Sequence, residues 1–278
     1  MTPPRKRRAT LFVGALALEA LPAALASGAD LVCVDLEDAV PPGRKDEARA
    51  AMVAHLEGVR VPASVQLVVR VNAVGTPEGD ADVHHVLNRT PSVGAILLPK
   101  VESAEEVRLV ARSVEAMRSS IELYAIIETA MGLESCASIA RSDPRLKVLF
   151  FGGFDLSTAL GCEMAWEPLL YARSRVVHAA AIRGLEVVDS PFPDVDDLAA
   201  LLENCARVRS LGMTGKAAKH VSQVKTIINA FTPTPSEIAK ARKIVEMFRE
   251  DPTRPLVFEG KLVELPTIKR MERLAALD

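Results

Sequence analysis

Apolar runs that turn polar within one or two residues recur along the chain. They are LVCVDLEDAV, VQLVVRVNA, GAILLPKVE, LYAIIETAMG and VLFFGGFDL. Such near-continuous runs are typical of parallel strands buried on both faces, and the carboxyl ends of these strands meet at one rim. We therefore expect the polar residues at the ends of the runs to come together there: Asp35, Glu37, Asp38, Arg70, Asn72, Lys100, Glu128 and Asp155.

Helical patterns separate these strands throughout the sequence. Strands are predicted at residues 11–13, 31–36, 65–71, 95–98, 123–127, 148–151, 185–188 and 213–216. Helices are predicted at residues 19–26, 45–56, 80–87, 104–118, 133–140 and between 155 and 181. The repeated βα order favours an α/β fold, a (β/α)₈ TIM barrel over residues 1–230. An open doubly wound sheet is the alternative.

A proline-rich segment, FTPTPS at residues 231–236, follows the predicted barrel. Ser236 is the predicted N-cap of an amphipathic helix over residues 238–248. DPTRP at residues 251–255 ends that helix before a final segment over 262–277. Residues 231–278 are too few to fold alone. We predict a helical extension that packs on its own barrel or on a neighbouring subunit.

Composition narrows the class of protein. The chain has 278 residues, of which 49% are hydrophobic and 4% aromatic, so its core consists of aliphatic side chains, as barrel cores usually do. A net charge of −2 gives no basic surface for nucleic acid, and no apolar run approaches the roughly 20 residues that span a bilayer. The cysteines form no CxxC pair, which favours a reducing cytoplasm: Cys33, Cys136, Cys162 and Cys205.

A basic run, RKRR at residues 5–8, lies close to the N-terminus. No apolar signal-peptide core follows it, because residues 11–14 read as a short strand. We predict that the run is a solvated tail. Contact with phosphate groups of a substrate is the alternative.

Two carboxylates stand out as candidate metal ligands. Glu128 follows the fifth predicted strand and Asp155 the sixth, so both are expected on neighbouring strands of one rim. Mg²⁺ suits them because it typically takes one or two protein carboxylates and keeps places for water and substrate oxygens. The alternative is structural: Glu128 pairs with a nearby basic residue, and Asp155 caps a helix.

The basic residues of the rim suggest how a substrate is held. Arg70 ends the LVVR strand, and its planar fork suits a substrate carboxylate, with Asn72 beside it as a second substrate-binding residue. An ion pair of Arg70 with Glu37 or Asp38 is the alternative. Lys100 either holds the acidic rim together or stabilises the charge of an enolate.

An ordered set of motifs resembles a known family. The motifs are LFV, GADLVCVDLEDAVPPGRKDEAR, VVRVNAVGT, AILLPKVESAEEV, IIETAMGLE, LFFGGFDLSTALG, YARSRVVHAAAIRGLEVVDSP and GKAAKHVSQV. They are similar to the citrate lyase β-subunit-like branch of the HpcH/HpaI aldolase superfamily. The resemblance implies a barrel enzyme with Glu128 and Asp155 as Mg²⁺ ligands. It also implies a homo-oligomer, often a trimer, and substrates that are 3-hydroxy carboxylic acyl thioesters of coenzyme A or of a carrier protein.

The function that follows is a Mg²⁺-dependent carbon–carbon lyase that cleaves a citryl-, malyl- or citramalyl-CoA-like substrate. Its predicted catalytic residues are Arg70, Asp38, Glu37, Lys100 and Glu264. Glu37 and Asp38 are expected to orient metal-bound water and Arg70, whereas Asp35 is expected to pair within the rim.

Two departures from the family pattern leave alternatives open. The string LFVGALALEALPAAL lacks the Pro-Gly and basic residues that meet the thioester cofactor, and EGKLVELP has Glu264 where the family often has an aspartate. An aldolase acting on a free 4-hydroxy-2-oxo acid is one alternative, and a non-catalytic barrel subunit is another. In GKAAKHVSQV, Lys216, His220 and Gln223 are expected to shape the last strand and loop.

Overall fold

The first part of the chain is a closed barrel. The computed structural model describes residues 5–251 and 255–276. Eight parallel strands close in sequence order, with β1 paired to both β2 and β8, which confirms the predicted TIM barrel. The strands are β1 (Ala9–Gly14), β2 (Leu31–Asp35), β3 (Gln66–Arg70), β4 (Val93–Leu98), β5 (Glu122–Ile127), β6 (Leu146–Phe151), β7 (Glu186–Asp189) and β8 (Gly215–Ala218).

Helices follow the strands and cover the barrel. They are α1 (Leu21–Leu25), α2 (Lys45–Leu56), α3 (Pro77–Arg89), α4 (Ala104–Ala116), α5 (Ala130–Ala140), α6 (Gly153–Leu160), α7 (Trp166–Ala181), α8 (Leu198–Ser210) and α9 (Val221–Phe231). Several begin just after the rim because a hydroxyl or carboxylate oxygen accepts a backbone N–H of the first turn. Thr76, Ser103, Thr129 and Asp197 do this for α3, α4, α5 and α8.

Two layers of apolar side chains form the barrel core. The inner layer fills the barrel: Leu31, Cys33, Val68, Ala95, Leu97, Tyr124, Ile126, Val148, Phe150, Val188 and Ala217. The outer layer lies between the strands and the helices. Since successive strand residues point to opposite faces, the inward-facing residues at the strand ends line the rim. β8 begins two residues later than predicted, and Met213 is buried ahead of the strand.

Charged side chains pair with one another at the N-terminal end of the barrel. The Arg7 side chain is only 9% exposed and contacts Glu122 at 2.9 Å and Glu186 at 3.1 Å. Its Nε also donates to the Tyr124 hydroxyl at 2.9 Å. We call these four residues the N-terminal ion cluster. Burial lowers the pKa of Arg7, but the surrounding Tyr124, Glu186 and Glu122 outweigh that effect and raise it.

The prediction of a solvated tail is therefore wrong for half of the basic run. Arg7 belongs to the N-terminal ion cluster, and Arg8 contacts Asp30 at 2.8 Å, whereas Arg5 and Lys6 are exposed. The partners of Arg7 and Arg8 begin or precede strands, at the end of the barrel opposite the rim. The alternative of phosphate contacts at an active site on the rim is thus wrong for these two residues.

A second buried ion cluster joins the last strands to a helix. Asp189 of β7 accepts from Lys216 of β8 at 2.5 Å and from Arg173 of α7 at 3.0 Å. The Arg173 guanidinium lies between the rings of Phe151 and Trp166, with distances of 4.7 and 5.2 Å to the ring centroids. Lys216 therefore joins the start of β8 to the end of β7, which agrees with its expected role in shaping the last strand.

A separate unit begins at Thr232, after the end of the barrel unit at Phe231. It contains α10 (Pro235–Glu250), a hairpin of β9 (Leu256–Phe258) and β10 (Lys261–Val263), and α11 (Leu265–Ala275). These elements share a core: Ala241, Ile244, Val245, Ile268 and Met271. The predicted N-cap Ser236 is wrong, because Thr234 caps α10 and forms a capping box with Glu237.

The hairpin was not predicted from the sequence. Its two turn residues, Glu259 and Gly260, both have positive φ, at 49° and 75°. A two-residue turn of this kind matches the twist of the paired strands. Part of the predicted DPTRP break, residues 252–254, and the last predicted position, 277, lie outside the described residues. Among residues 5–251 and 255–276, no helix has the length and apolar character needed to cross a membrane.

Candidate active site

A cleft of 500 Å³ opens at the carboxyl ends of the strands. Its polar wall includes Asp35, Asp38, Arg70, Glu128 and Asp155, five of the residues predicted for the rim. An apolar wall faces the same space: Phe12, Ile126, Phe150, Phe151, Phe154, Pro191, Ala217 and Ala218. The barrel thus places charged and apolar groups around one substrate-sized space, as active sites of this fold do.

Arg70 is held by the chain's own carboxylates. The parallel register sets Asp35 beside Arg70, and the carboxylate of Asp35 accepts from Nε at 2.7 Å and from Nη2 at 2.5 Å. Nη1 contacts Glu37 at 2.9 Å and Asp38 at 3.3 Å. The expected pairing of Asp35 within the rim is confirmed. The fork of Arg70 grips Asp35, so the structure does not show it free for a substrate carboxylate.

Lys100 contacts carboxylates from two parts of the rim, Glu37 and Asp38 after β2 and Glu128 after β5. Its ammonium contacts Glu37 and lies 3.3 Å from Asp38, while its backbone N–H donates to Oε1 of Glu128 at 2.8 Å. Lys100 has a φ of 51°, a left-handed conformation that side chains other than glycine rarely adopt. Strained residues of this kind persist where the surroundings hold them, often at functional sites. The predicted role of Lys100 in holding the acidic rim together agrees with these contacts.

The pKa values of Glu37 and Asp38 are shifted in opposite directions. Burial is the main influence on Glu37 and raises its pKa despite the nearby charges of Arg70 and Lys100. Burial also acts on Asp38, but the hydrogen bond with Glu37 and the charges of Arg70 and Lys100 outweigh it and lower its pKa. Asp38 is thus the more readily ionised of the two, and half of its side chain is exposed at the rim.

Glu128 is a buried carboxylate without a basic side chain bonded to it among the described residues. Burial raises its pKa to about 8, and the negative charges of Asp155 and Glu37 add to this effect. The backbone N–H of Lys100 and the charge of Arg70 oppose it. The structural alternative for Glu128, a direct ion pair with a lysine or arginine, is therefore not what the structure shows.

Asp155 lies in the first turn of α6, not at the end of β6. The N-cap of α6 is Gly152, and no side chain caps this helix, so Asp155 does not serve as the cap. Gly152 also gives Glu128 its space, because a Cβ at position 152 would lie 2.5 Å from Oε2 of Glu128. Ser190 fixes this turn by accepting from the Gly153 N–H and donating to the Phe151 carbonyl, both at 2.7 Å.

The donor set of the cleft fits a hard divalent cation. At the rim, Asp35, Glu37 and Asp38 surround Arg70 and Lys100, which leaves the carboxyl groups of Glu128 and Asp155 without a basic partner among the described residues. Within the described ranges, no group of three or more His, Cys, Asp or Glu side chains is arranged to hold a metal. A cation bound here would have two protein carboxylates and several open positions, which is the coordination that Mg²⁺ prefers.

Asn72 does not line the cleft. Its side-chain amide donates to the Leu36 carbonyl at 3.1 Å and to Asp82 at 2.7 Å, and its backbone N–H also donates to Asp82. Asp82 in turn accepts from Arg49 of α2. The predicted substrate contact is thus replaced by a buried network that ties the β3 end to α2 and α3. The sequence could not distinguish these roles, because an asparagine at the end of a strand can either contact a substrate or hold neighbouring elements together.

Several residues of the site were not predicted. Phe12 lies under Arg70, with 5.5 Å from its ring centroid to the guanidinium carbon, and Lys219 lines the cleft from the end of β8. Gln223 shapes the last loop as expected, because its Oε1 accepts the Lys219 N–H. His220 is exposed and contacts Ser222. Alternation along β8 is the signal that could have identified Lys219, since Ala217 faces inward.

Glu264 belongs to the C-terminal unit. It occupies the N-cap position of α11, and its backbone carbonyl accepts from Thr267 and Ile268. Its role in catalysis stays a prediction.

Comparisons with known proteins place the chain in a family. The family model for HpcH/HpaI aldolase/citrate lyase matches residues 8–221. The chain belongs to this family. A human protein named citramalyl-CoA lyase, mitochondrial, is 28% identical over 98% of this chain and 85% of its own length. The L-malyl-CoA/β-methylmalyl-CoA lyase of Cereibacter sphaeroides is 30% identical over 89% of this chain and 86% of its own length.

Solved structures show the same fold. CitE from Mycobacterium tuberculosis, in complex with magnesium, acetoacetate and coenzyme A, has a TM-score of 0.80. It is 28% identical and covers 98% of this chain and 99% of its own. RipC from Yersinia pestis has a TM-score of 0.73 and is 34% identical over 84% of this chain and 99% of its own.

Proposed function

We propose that the chain is a Mg²⁺-dependent carbon–carbon lyase that cleaves a 3-hydroxy carboxylic acyl thioester of coenzyme A, such as citramalyl-CoA or malyl-CoA. The observation that carries the proposal is a pair of carboxyl groups without a basic partner in the described part of the chain, Glu128 and Asp155, in a substrate-sized cleft. The names of the two lyases and the ligands of CitE support the substrate class. A purely structural barrel subunit has no need of such a pair.

Glu128 and Asp155 would hold the metal, with Gly152 and the Lys100 N–H keeping Glu128 in place. When bound, Mg²⁺ would polarise substrate oxygens and offset negative charge that develops on them. Arg70 stays hydrogen-bonded to Asp35 and presents positive charge to the cleft. Its carboxylate partners preorganise that charge, so little reorganisation is needed during reaction.

The proton and electron steps follow from the bond that breaks. Asp38, ionised and half exposed at the rim, accepts the proton of the substrate hydroxyl. The oxygen forms a carbonyl, the neighbouring carbon–carbon bond breaks, and its electron pair passes to the thioester fragment as an enolate. The guanidinium of Arg70, which lines the cleft, stabilises this charge, and the ammonium of Lys100 adds to it from its contact with Asp38. A proton delivered to the enolate carbon completes acetyl-CoA, and Glu264 of a neighbouring subunit is the proposed donor, supported by the family resemblance of EGKLVELP.

Assembly and location are part of the same proposal. We favour a homo-oligomer, with a trimer as the arrangement that the family resemblance suggests. Large apolar side chains of the C-terminal unit are exposed in the single chain, as expected of a contact surface: Val257, Leu262 and Leu265. Four free cysteines support a reducing compartment such as the cytoplasm. Light scattering after size-exclusion chromatography tests the assembly.

An assay with purified, chelator-treated protein tests the function. Citramalyl-CoA and malyl-CoA are offered beside free 4-hydroxy-2-oxo acids, with and without Mg²⁺, and acetyl-CoA and 2-oxo acids are measured. We expect thioester cleavage only with added metal, and none from Asp155→Asn. Turnover confined to the free acids would instead assign the chain as an aldolase on 4-hydroxy-2-oxo acids. Absence of all turnover in the metal-loaded protein would favour a non-catalytic subunit.

A further inference from the structure

Two basic side chains, Arg70 and Lys219, line the cleft. Arg70 is already surrounded by Asp35, Glu37 and Asp38. In the part of the chain that the structure describes, Lys219 forms no ion pair. Its ammonium lies over the Phe154 ring, 4.4 Å from the ring centroid. Lys219 is therefore the cation of the cleft whose charge is not already committed to a carboxylate.

The backbone of Lys219 is held firmly although its side chain is exposed. Its N–H donates to Oε1 of Gln223 at 2.9 Å, and Gln223 is completely buried. The side-chain amide of Gln223 donates to the carbonyls of Phe192 and Asp194, at 3.2 and 3.1 Å. The end of β8 is thus locked onto the loop that follows β7, and Lys219 starts from a fixed point.

The contact with Phe154 sets where the ammonium lies. Phe154 and Asp155 are consecutive residues of the first turn of α6. The ammonium of Lys219 thus lies over the residue that precedes a proposed metal ligand. A cation–π contact at an exposed site is weak, on the order of 0.5–1 kcal/mol, so an anion that enters the cleft can draw the flexible side chain away from the ring at little cost.

A substrate of the proposed class is itself an anion. Its free carboxylate has to enter a cleft that already contains Asp35, Asp38, Glu128 and Asp155. Like charges brought together at an interface cost several kcal/mol unless opposite charge offsets them. The proposed Mg²⁺ would offset Glu128 and Asp155. The three other carboxylates of the rim already outnumber their two cations, Arg70 and Lys100. Lys219 is thus the cation that remains available to the substrate carboxylate.

We propose that Lys219 binds the free carboxylate of the substrate, the group that becomes the carboxylate of the 2-oxo acid product. This inference rests on the proposed function and names the residue that recognises the acid end of the substrate. A phosphate of coenzyme A carries similar negative oxygens, but we assign Lys219 to the carboxylate, because its ammonium lies beside the cleft wall that holds Asp155.

Binding of the two product halves separates these sources. Pyruvate and coenzyme A are titrated separately into the Mg²⁺-loaded protein by calorimetry, and KM and kcat are measured for citramalyl-CoA. Lys219→Met removes the charge and keeps much of the length, whereas Lys219→Arg keeps the charge. Lys225→Met is the matched control, because Lys225 is an exposed lysine of α9 that does not line the cleft.

We expect Lys219→Met to weaken pyruvate binding about 10-fold, the loss of one charged hydrogen bond. The KM for citramalyl-CoA should rise by a similar factor, with kcat changed less than about threefold. Coenzyme A affinity should stay the same, Lys219→Arg should restore most of the pyruvate affinity, and Lys225→Met should behave as the wild type.

Two results would overturn the inference alone. One is pyruvate affinity unchanged in Lys219→Met, in a wild-type protein that does bind pyruvate and cleave the thioester. The other is a loss of coenzyme A affinity with pyruvate affinity intact, which would assign Lys219 to a phosphate. A wild-type protein that neither binds pyruvate nor cleaves the thioester would overturn the proposed function together with this inference.

Discussion

At the N-terminal end of the barrel, Arg7 contacts Glu122, Glu186 and Tyr124, whereas at the C-terminal rim Glu128 and Asp155 share a cleft without an ion pair among the described residues. Both ends are built from charged side chains at or near the ends of strands: β5 begins with Glu122 at one end of the barrel and is followed by Glu128 at the other. At one end the charged side chains pair with one another, and at the other two carboxyl groups have no basic partner among the described residues. In barrels of this kind the first end serves stability and the second serves chemistry.

The largest effect should come from replacing one of these two carboxyl groups. Glu128→Gln keeps the shape of the side chain and removes a proposed metal ligand. We expect turnover to fall by about 1,000-fold, which corresponds to about 4 kcal/mol of transition-state stabilisation. Steady-state thioester cleavage at saturating Mg²⁺ measures it. Activity within tenfold of wild type would remove Glu128 from the metal site.

The same variant carries its own test of folding. The pKa of Glu128 lies above the usual value of 4.5, so ionising this carboxyl opposes folding as the pH rises from about 4.5 to 8. Glutamine has no such cost. Metal-free Glu128→Gln should therefore be at least as stable as the wild type at pH 8, and equally stable at pH 4. A lower melting temperature at pH 8 would show that the variant damages the fold.

The opposite end should respond in the opposite way. Arg7→Met leaves Glu122 and Glu186 partly buried without their cation, and breaking a buried ion pair from one side costs roughly 3 kcal/mol. For a barrel of this size, the melting temperature should fall by about 6–12 °C. Thermal unfolding checks this, and kcat of the folded variant should be unchanged. A loss of kcat without a loss of stability would contradict the assignment of this end to stability.

A smaller effect should appear in the pH dependence of metal binding. A metal ligand has to be deprotonated, and the pKa of Glu128 is about 8 in the metal-free protein. The apparent Mg²⁺ affinity should therefore rise about tenfold per pH unit between pH 6 and 7.5 and level off above pH 8. Calorimetry in buffers of different ionisation enthalpy should show release of close to one proton at pH 7. Affinity that is flat from pH 6 to 8 would exclude Glu128 as the titrating ligand.

The barrel could be predicted from sequence because its strands are long apolar runs with polar ends. The same pattern placed Arg70, Glu128 and Asp155 around one cleft. What it could not predict was which polar groups pair with one another. Arg70 grips Asp35 because parallel register sets them side by side, and Asn72 turns away from the cleft because Asp82, ten positions later, returns on a helix to accept its hydrogen bonds.

Neighbouring residues in the sequence were also insufficient to predict the structure near the two ends of the chain. A run of basic residues ahead of a strand looks like a solvated tail, because its partners Asp30, Glu122 and Glu186 are distant in sequence. The hairpin of the C-terminal unit was missed because its strands are only three residues long, too short for a pattern. The structure defines it by the antiparallel pairing of the two strands and the positive φ values of the turn.

The smallest effect should come from the exposed half of the basic run. Arg5 and Lys6 precede Arg7, at the end of the barrel opposite the cleft, and exposed charges are screened within about 10 Å at ordinary ionic strength. We expect the double variant Arg5→Gln, Lys6→Gln to leave the KM for citramalyl-CoA within twofold of wild type, at both low and high salt. A KM of the double variant that exceeds the wild-type value at low salt, with the two values converging at high salt, would instead show that these residues steer the anionic substrate. Positive charge at the N-terminal end would then act on the rim, and the division between a stabilising end and a chemical end would no longer hold.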